Sequence, residues 1–287
     1  MHPVRLAFSP DSDDIFMFWP LLHGKIDTRG LSFVHERADT ETLNERAAQA
    51  EVDVIAVSIA RYAALTRDYL LLPHGASVGR GYGPVVVSRA PTELAALDAR
   101  PIGIPGPRTT AYLTLRLILP RFEPVVIPIS PFTLSFDAVR EGRVDAALLI
   151  HEGRLTYERE GFHKVVDLGE AWSALTGGLP LPLGGNVIRR GLGTEKVALV
   201  SRLCRESIAW ALAHREEVMT ALLAEESRAE VGLDRALLDR YLAMYANDDT
   251  LSFAPDARRA VEELFSRGVR AGVLTEGARP EFAEDFE

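Results

Sequence analysis

His151 and Glu152 are the residues of this sequence best placed to do chemistry. They follow Val144-Asp145-Ala146-Ala147-Leu148-Leu149-Ile150, an apolar run between Gly142 and Gly153 that reads as a buried strand of a parallel sheet. Ligands of open α/β sheets lie outside the carboxyl ends of the strands. A histidine there titrates near neutral pH and can take a proton from a bound molecule. It can equally cap the strand by bonding backbone, and position alone leaves both roles open. Glu152 falls on the opposite side of an extended chain from His151, so it ranks second: it either orients the imidazole or faces away.

A second candidate is Gly106-Pro107-Arg108-Thr109-Thr110-Ala111-Tyr112, which follows the expected strand Ile102–Ile104 and opens a helix. Thr109 or Thr110 can cap that helix, and its first N–H groups form a site suited to a carboxylate. Ser58 adds a hydroxyl at the end of Val52–Val57. Asp11, Ser12, Asp13 and Asp14 follow the first strand, where they can bind substrate hydroxyls or simply cap a helix. Other chemistries lack their patterns. No G-x-S-x-G elbow is present, the seven histidines show no H-x-H or H-E-x-x-H spacing, and Gly79-Arg80-Gly81-Tyr82-Gly83 precedes a strand instead of opening a helix. Neither a metal nor a nucleotide cofactor is expected. Trp172 and Trp210 lie in helical patterns and read as core or cleft wall.

The elements that must hold these residues alternate. Strands are expected at Leu6–Phe8, Leu31–Val34, Val52–Val57, Pro84–Ser88, Pro101–Ile104, Pro124–Ile129 and Val144–Ile150. Helices are expected at Ile15–Leu22, Thr40–Ala50, Thr109–Leu119, Phe132–Arg140 and, from Glu195, almost to the end. Such alternation argues for an α/β protein of parallel βαβ units. Gly81–Arg89 and Gly184–Arg190 are both glycine-led apolar strands ending in arginine, and they bracket a block the size of a small domain. They are read as crossovers between two lobes, residues 1–88 with 184–287 and residues 89–183, hinged around a ligand cleft.

With 287 residues, 47% hydrophobic and 25% charged, the chain has the profile of a globular protein of one or two domains. A net charge of −9 argues against a nucleic-acid surface and leaves room for a small anionic ligand held locally. The single cysteine, Cys204, excludes an internal disulfide. The N-terminus runs straight into a strand without a signal peptide, and no apolar run approaches the ~20 residues of a membrane span, so a cytoplasmic protein is expected.

Several blocks together resemble a known family. They are Phe8-Ser9-Pro10 with Asp14 and Phe16, Glu41-Thr42-Leu43-Asn44, Gly79-Arg80-Gly81 with Gly83-Pro84, and Pro105-Gly106 with Thr109–Tyr112. Further on come Ile150-His151-Glu152 with Arg154 and Thr156-Tyr157, Val166–Gly169, and Gly178-Leu179-Pro180-Leu181-Pro182-Leu183-Gly184. The chain resembles the 1,4-dihydroxy-6-naphthoate synthases of the futalosine route to menaquinone, which have a two-lobed periplasmic-binding-protein type II fold. The resemblance implies a cofactor-free lyase that converts cyclic dehypoxanthinyl futalosine to 1,4-dihydroxy-6-naphthoate. It implies His151 as proton acceptor, and substrate contacts at Ala56, Val57 and Ser58 and at Thr110 and Ala111. Thr109, Ser9 and Asp14 are expected beside them. The chain differs from the family at Asp11-Ser12-Asp13-Asp14, where C-P-N-D is expected, and at Ala56, where some members carry lysine. Two other readings share the fold: chorismate dehydratase of the same route, in which the histidine is not expected, and a non-catalytic solute-binding protein.

Overall fold

Short β-branched runs build two sheets. In chain order the strands are β1 (Val4–Phe8), β2 (Phe33–Arg37), β3 (Val54–Ser58), β4 (Tyr69–Leu71), β5 (Ser77–Gly79), β6 (Val85–Ser88), β7 (Pro101–Ile104), β8 (Glu123–Val126), β9 (Ala146–Leu149), β10 (His163–Asp167) and β11 (Leu181–Arg189). The structure is a computed structural model that describes residues 2–129, 131, 133–225 and 234–283. The first sheet runs β2-β1-β3-β11-β4, with β5 also paired to β11; the second runs β10-β6-β9-β7-β8.

Parallel pairing holds only in part of each sheet. Strand β1 is parallel to β2 and β3, and β7 is parallel to β8 and β9. The long β11 is antiparallel to β3, β4 and β5, and β6 is antiparallel to β9 and β10. The expectation of parallel βαβ units thus holds for β2-β1-β3 and β9-β7-β8, and the sheets as wholes are mixed. The reason is that apolar content marks a strand as buried without recording its direction. The two glycine-led segments are the strands that run against their neighbours. Strand β6 pairs in the second sheet although it precedes residue 89, and Leu181–Leu183 lie in β11 although they precede residue 184. The chain thus changes sheets before Val85 and again before Leu181.

Backbone packs directly on backbone where these crossings meet. A Cβ on Gly169 would lie 2.0 Å from the carbonyl carbon of Tyr82, a distance no side chain tolerates. The helix Leu168–Thr176 starts there, capped by Asp167, whose Oδ1 accepts from the N–H groups of Gly169 and Glu170 at 2.8 and 3.3 Å. Asp167 also takes a hydrogen bond from the half-buried Arg154, whose Nε donates to the carbonyl of Gly83. Trp172 is fully buried beneath that helix, with its Nε1 donating to the carbonyl of Pro180 at 2.8 Å. Trp210, by contrast, lies half-buried at the surface and stacks on His214.

The helices bury apolar faces against the sheets. Ser12–Leu22 packs on Thr194–Ala213, joining Phe16, Phe18, Leu203 and Ile208 in one core with Leu6 and Phe8 of β1. Pro255–Arg270 covers β11 with Ala257, Val261 and Leu264. Other elements keep the expected type with shifted ends: Thr40–Arg46 is followed by a 3₁₀ turn, and the helix expected at Phe132–Arg140 is Thr133–Arg140, Phe132 itself lying outside the described residues. The C-terminal helical stretch likewise includes residues 226–233, which are outside the described residues. Among the described residues no helix is long and apolar enough to cross a membrane.

Candidate functional site

Directly after β9 the backbone reverses at His151, which takes φ of +50°, a left-handed conformation uncommon for a non-glycine residue. Such a position costs on the order of 1–2 kcal/mol and is concentrated at functional sites. His151 Nδ1 lies 3.3 Å from Asp11 Oδ2. Burial works against a charged ring, but the carboxylate of Asp11, followed by Glu152, Asp13 and Asp14, outweighs it and lifts the pKa above the ordinary 6.5. With Nδ1 turned to a carboxylate, the neutral ring keeps its proton there and presents Nε2 as the basic atom. Glu152 adds its charge to this effect from outside the cavity lining. It is buried there, and its Oε1 accepts from the Ser12 hydroxyl at 3.2 Å.

The loop after β1 supplies carboxylates at the start of the helix Ser12–Leu22. Asp11 is its N-cap residue but makes no capping hydrogen bond, which leaves its carboxylate for His151. Asp14 Oδ2 accepts from the N–H of Ser9 at 2.8 Å, and the Ser9 hydroxyl accepts from the N–H of Asp11 at 3.2 Å. Burial and the neighbouring Asp13 carboxylate push Asp14 up to about 7, so it holds its proton in part at neutral pH. Asp13 accepts from the Ser77 hydroxyl at 2.7 Å and from the Tyr241 hydroxyl at 3.1 Å. Three carboxylates can crowd together here because they lie at a helix N-terminus.

The loop and helix after β7 also line the cavity. Thr109 caps the helix Thr110–Ile118: its Oγ1 accepts from the N–H of Tyr112 at 3.1 Å and donates to the carbonyl of Gly106 at 2.8 Å. The Thr110 hydroxyl donates to the carbonyl of Leu183 at 2.7 Å and accepts from the N–H of Ala60 at 3.0 Å. Both threonine protons are thus engaged within the protein. What this helix start offers a ligand is the N–H groups of Thr110 and Ala111, which have no carbonyl within the helix to bond. Ser58 ends β3, and its neighbours Ala56 and Val57 complete that edge.

These residues meet in one cavity of about 780 Å³, counting its open mouth. His151, Ser9, Asp14, Ala56, Val57, Ser58, Thr109, Thr110 and Ala111 all line it. All nine candidates from the sequence are therefore brought together. The cavity also contains Ser77, Tyr241 and Tyr245, which the sequence reading did not include. The two tyrosines are one helical turn apart on Arg235–Tyr245, and that spacing was the only local signal. At the rim, Arg108 Nη1 reaches Glu41 Oε1 and Glu45 Oε1, each at 2.8 Å, tying the loop before Thr109 to the helix Thr40–Arg46. Among the described residues no group of three or more histidine, cysteine or acidic side chains could hold a metal ion. Cys204 is buried away from this cavity, and burial pushes its thiol up to about 12.

Comparison with known proteins adds the following. Residues 4–270 match the family described as Menaquinone biosynthesis. A protein of Thermus thermophilus named 1,4-dihydroxy-6-naphthoate synthase is 37% identical over 98% of this chain and 100% of its own length. A Streptomyces coelicolor protein of the same name is 34% identical over 94% of each chain. A crystal structure of an Archaeoglobus fulgidus protein superposes with a TM-score of 0.88 at 41% identity, covering 95% of this chain and 99% of that one. The alkanesulfonate-binding protein of Xanthomonas axonopodis pv. citri gives a TM-score of 0.71 at 14% identity, covering 96% and 94%. A Candida albicans protein described as having the generic periplasmic binding protein fold gives 0.65 at 13%, covering 96% and 92%. The last two establish the fold, a periplasmic-binding-protein-like one.

Proposed function

Since this chain belongs to the menaquinone-biosynthesis family, we propose that the cavity around His151 is its active site and that His151 is the general base. The activity is that of a 1,4-dihydroxy-6-naphthoate synthase, a carbon–carbon lyase of the futalosine pathway. The substrate is a small molecule, cyclic dehypoxanthinyl futalosine. Neutral His151 takes a proton through Nε2, a carbon–carbon bond breaks to release a sugar-derived fragment, and formation of the aromatic naphthalene drives the step. No cofactor takes part in this scheme.

The observation that carries the assignment is the pairing of His151, which lines the cavity, with Asp11, beside a helix start in the same lining that offers backbone N–H groups. A carboxylate at Nδ1 fixes the tautomer and strengthens the base. The substrate carboxylate sits at the N–H groups of Thr110 and Ala111, with Thr109 holding that helix start in shape and Ser58 beside it. Ala56 and Val57 flank the ring system. Ser9 holds Asp14, which with Asp13 faces the hydroxylated part of the substrate. Placing the two ends in this way sets the reacting C–H or O–H against Nε2.

The two sheets act as two lobes around the cavity, residues 1–88 with 184–287 and residues 89–183, apart from β6 and Leu181–Leu183, which go with the sheets that hold them. Closure around the substrate excludes water from the carbanion-like intermediate. The reaction is cytoplasmic and needs neither nucleic acid nor membrane. Incubating the purified protein with cyclic dehypoxanthinyl futalosine and following the naphthoate by mass spectrometry tests the reading. Product is expected; binding without product, or turnover of chorismate instead, would overturn it.

A further inference from the structure

We propose that Asn44 is a positioning residue that commits the Ser58 hydroxyl to donate its hydrogen into the cavity, so that Ser58 recognises an acceptor group on the ligand. The inference rests on the active-site reading above and adds to it a residue outside the cavity wall. Asn44 lies on the helix Thr40–Arg46 and is fully buried. Its Oδ1 accepts from the backbone N–H of Ser58 at 2.9 Å. A backbone N–H can only donate, so this bond fixes which way the amide faces. The other end, Nδ2, therefore meets Ser58 Oγ at 3.1 Å as a donor, and its second hydrogen points to Glu41 Oε2 at 3.4 Å.

The consequence for Ser58 follows from counting hydrogens. Its oxygen accepts from Asn44, so its own proton is directed elsewhere, and among the described residues it donates to no protein acceptor. Ser58 is itself buried and lines the cavity. Its proton is thereby left for an acceptor in that cavity, such as a carboxylate or carbonyl oxygen of the ligand. The asparagine is held in turn: Glu41 accepts from Arg108 on the far side of the rim, and the Asn44 carbonyl accepts from Arg61 Nε at 2.8 Å. The donor at Ser58 is thus set by a chain of hydrogen bonds that begins in the loop leading to Thr109.

Two substitutions separate this role from packing. Asn44→Asp keeps the shape and the bond from the Ser58 N–H but replaces the donor by an acceptor, which turns the Ser58 proton inward. Asn44→Ala removes both contacts without adding charge. Each is made alone and with Ser58→Ala, and binding of 1,4-dihydroxy-6-naphthoate is measured by calorimetry beside kcat and KM. Each Asn44 variant is expected to weaken binding and raise KM about tenfold, the scale of one lost directed hydrogen bond, with kcat changed far less. On the Ser58→Ala background Asn44→Ala should add less than about twofold, since no hydroxyl remains to direct. An equal loss in both backgrounds, or unchanged binding by a folded variant, overturns the proposal. If Asn44→Ala fails to fold, the same comparison is read from Asn44→Asp. Turnover by the parent protein reports separately on the reaction, because the cycle is read from binding alone.

Discussion

Thr110→Val removes one hydroxyl and little volume, and its effect follows from two hydrogen bonds. The Thr110 oxygen takes the N–H of Ala60 at 3.0 Å and gives its proton to the carbonyl of Leu183 at 2.7 Å. Leu183 lies where the pairing of β11 with β5 shifts register, between Pro182 and Gly184, so its carbonyl depends on this side-chain partner. Valine leaves both backbone groups unpaired. An orphaned buried N–H costs about 1–3 kcal/mol, and the half-buried carbonyl less, so a total of roughly 2–4 kcal/mol is expected. For a chain of this size that corresponds to a fall in melting temperature of roughly 3–7 °C. Thr110→Ser keeps the oxygen and should lose only the methyl contribution, about 1 kcal/mol. Melting of the three proteins at one pH, followed by circular dichroism, makes the comparison. A Thr110→Val protein that melts with the parent would refute the view that this hydroxyl ties the helix Thr110–Ile118 to β11 and to the helix Ile59–Tyr62. It would return Thr110 to the ligand as a free donor.

Other expectations concern charge and close packing. Because carboxylates, Asp11 foremost, outweigh burial at His151, the acid limb of kcat/KM should lie above 6.5 and move to lower pH in Asp11→Asn, measured as a pH profile. Asp14 has a folded pKa of about 7 against an ordinary 3.8, so the stability it lends is present below 3.8 and lost as pH rises through 7. Asp14→Asn should therefore gain melting temperature over the parent at pH 8 and lose that advantage at pH 4, whatever it does to activity. Gly169→Ala would drive a methyl to 2.0 Å from the Tyr82 carbonyl carbon, and urea denaturation should show a loss of more than about 3 kcal/mol, or no folded protein.

Much of the site was legible because it is built from strand ends and one helix start. The run ending in Ile150-His151-Glu152, the strand before Ser58 and the capped helix at Thr109 each carry a local signal, and each falls where its pattern placed it. Strand direction was not legible. The apolar residues of β6 and β11 look alike whether their neighbours run with or against them, so the mixed sheets emerged only from pairing. Short strands such as Tyr69–Leu71 and Ser77–Gly79 have too few residues to show a period. Tyr241 and Tyr245 reach the cavity from a helix far along the chain, and beyond their one-turn spacing contacts of that range leave no local mark. The partner of His151 was not legible: adjacency left Glu152 either orienting the ring or facing away, and Asp11, distant in sequence and read as a capping or substrate-binding residue, is the carboxylate that lies at the ring.

The central claim is that His151 is the base of a carbon–carbon lyase, and His151→Gln tests it most directly. Glutamine keeps a polar side chain of similar length but cannot accept the proton at neutral pH. With saturating cyclic dehypoxanthinyl futalosine, mass spectrometry should show the rate of naphthoate formation falling by about 10²–10⁴-fold while binding of the naphthoate persists. A variant that turns over at close to the parent rate would contradict the account, and the proton would then have to be sought at another group in the cavity.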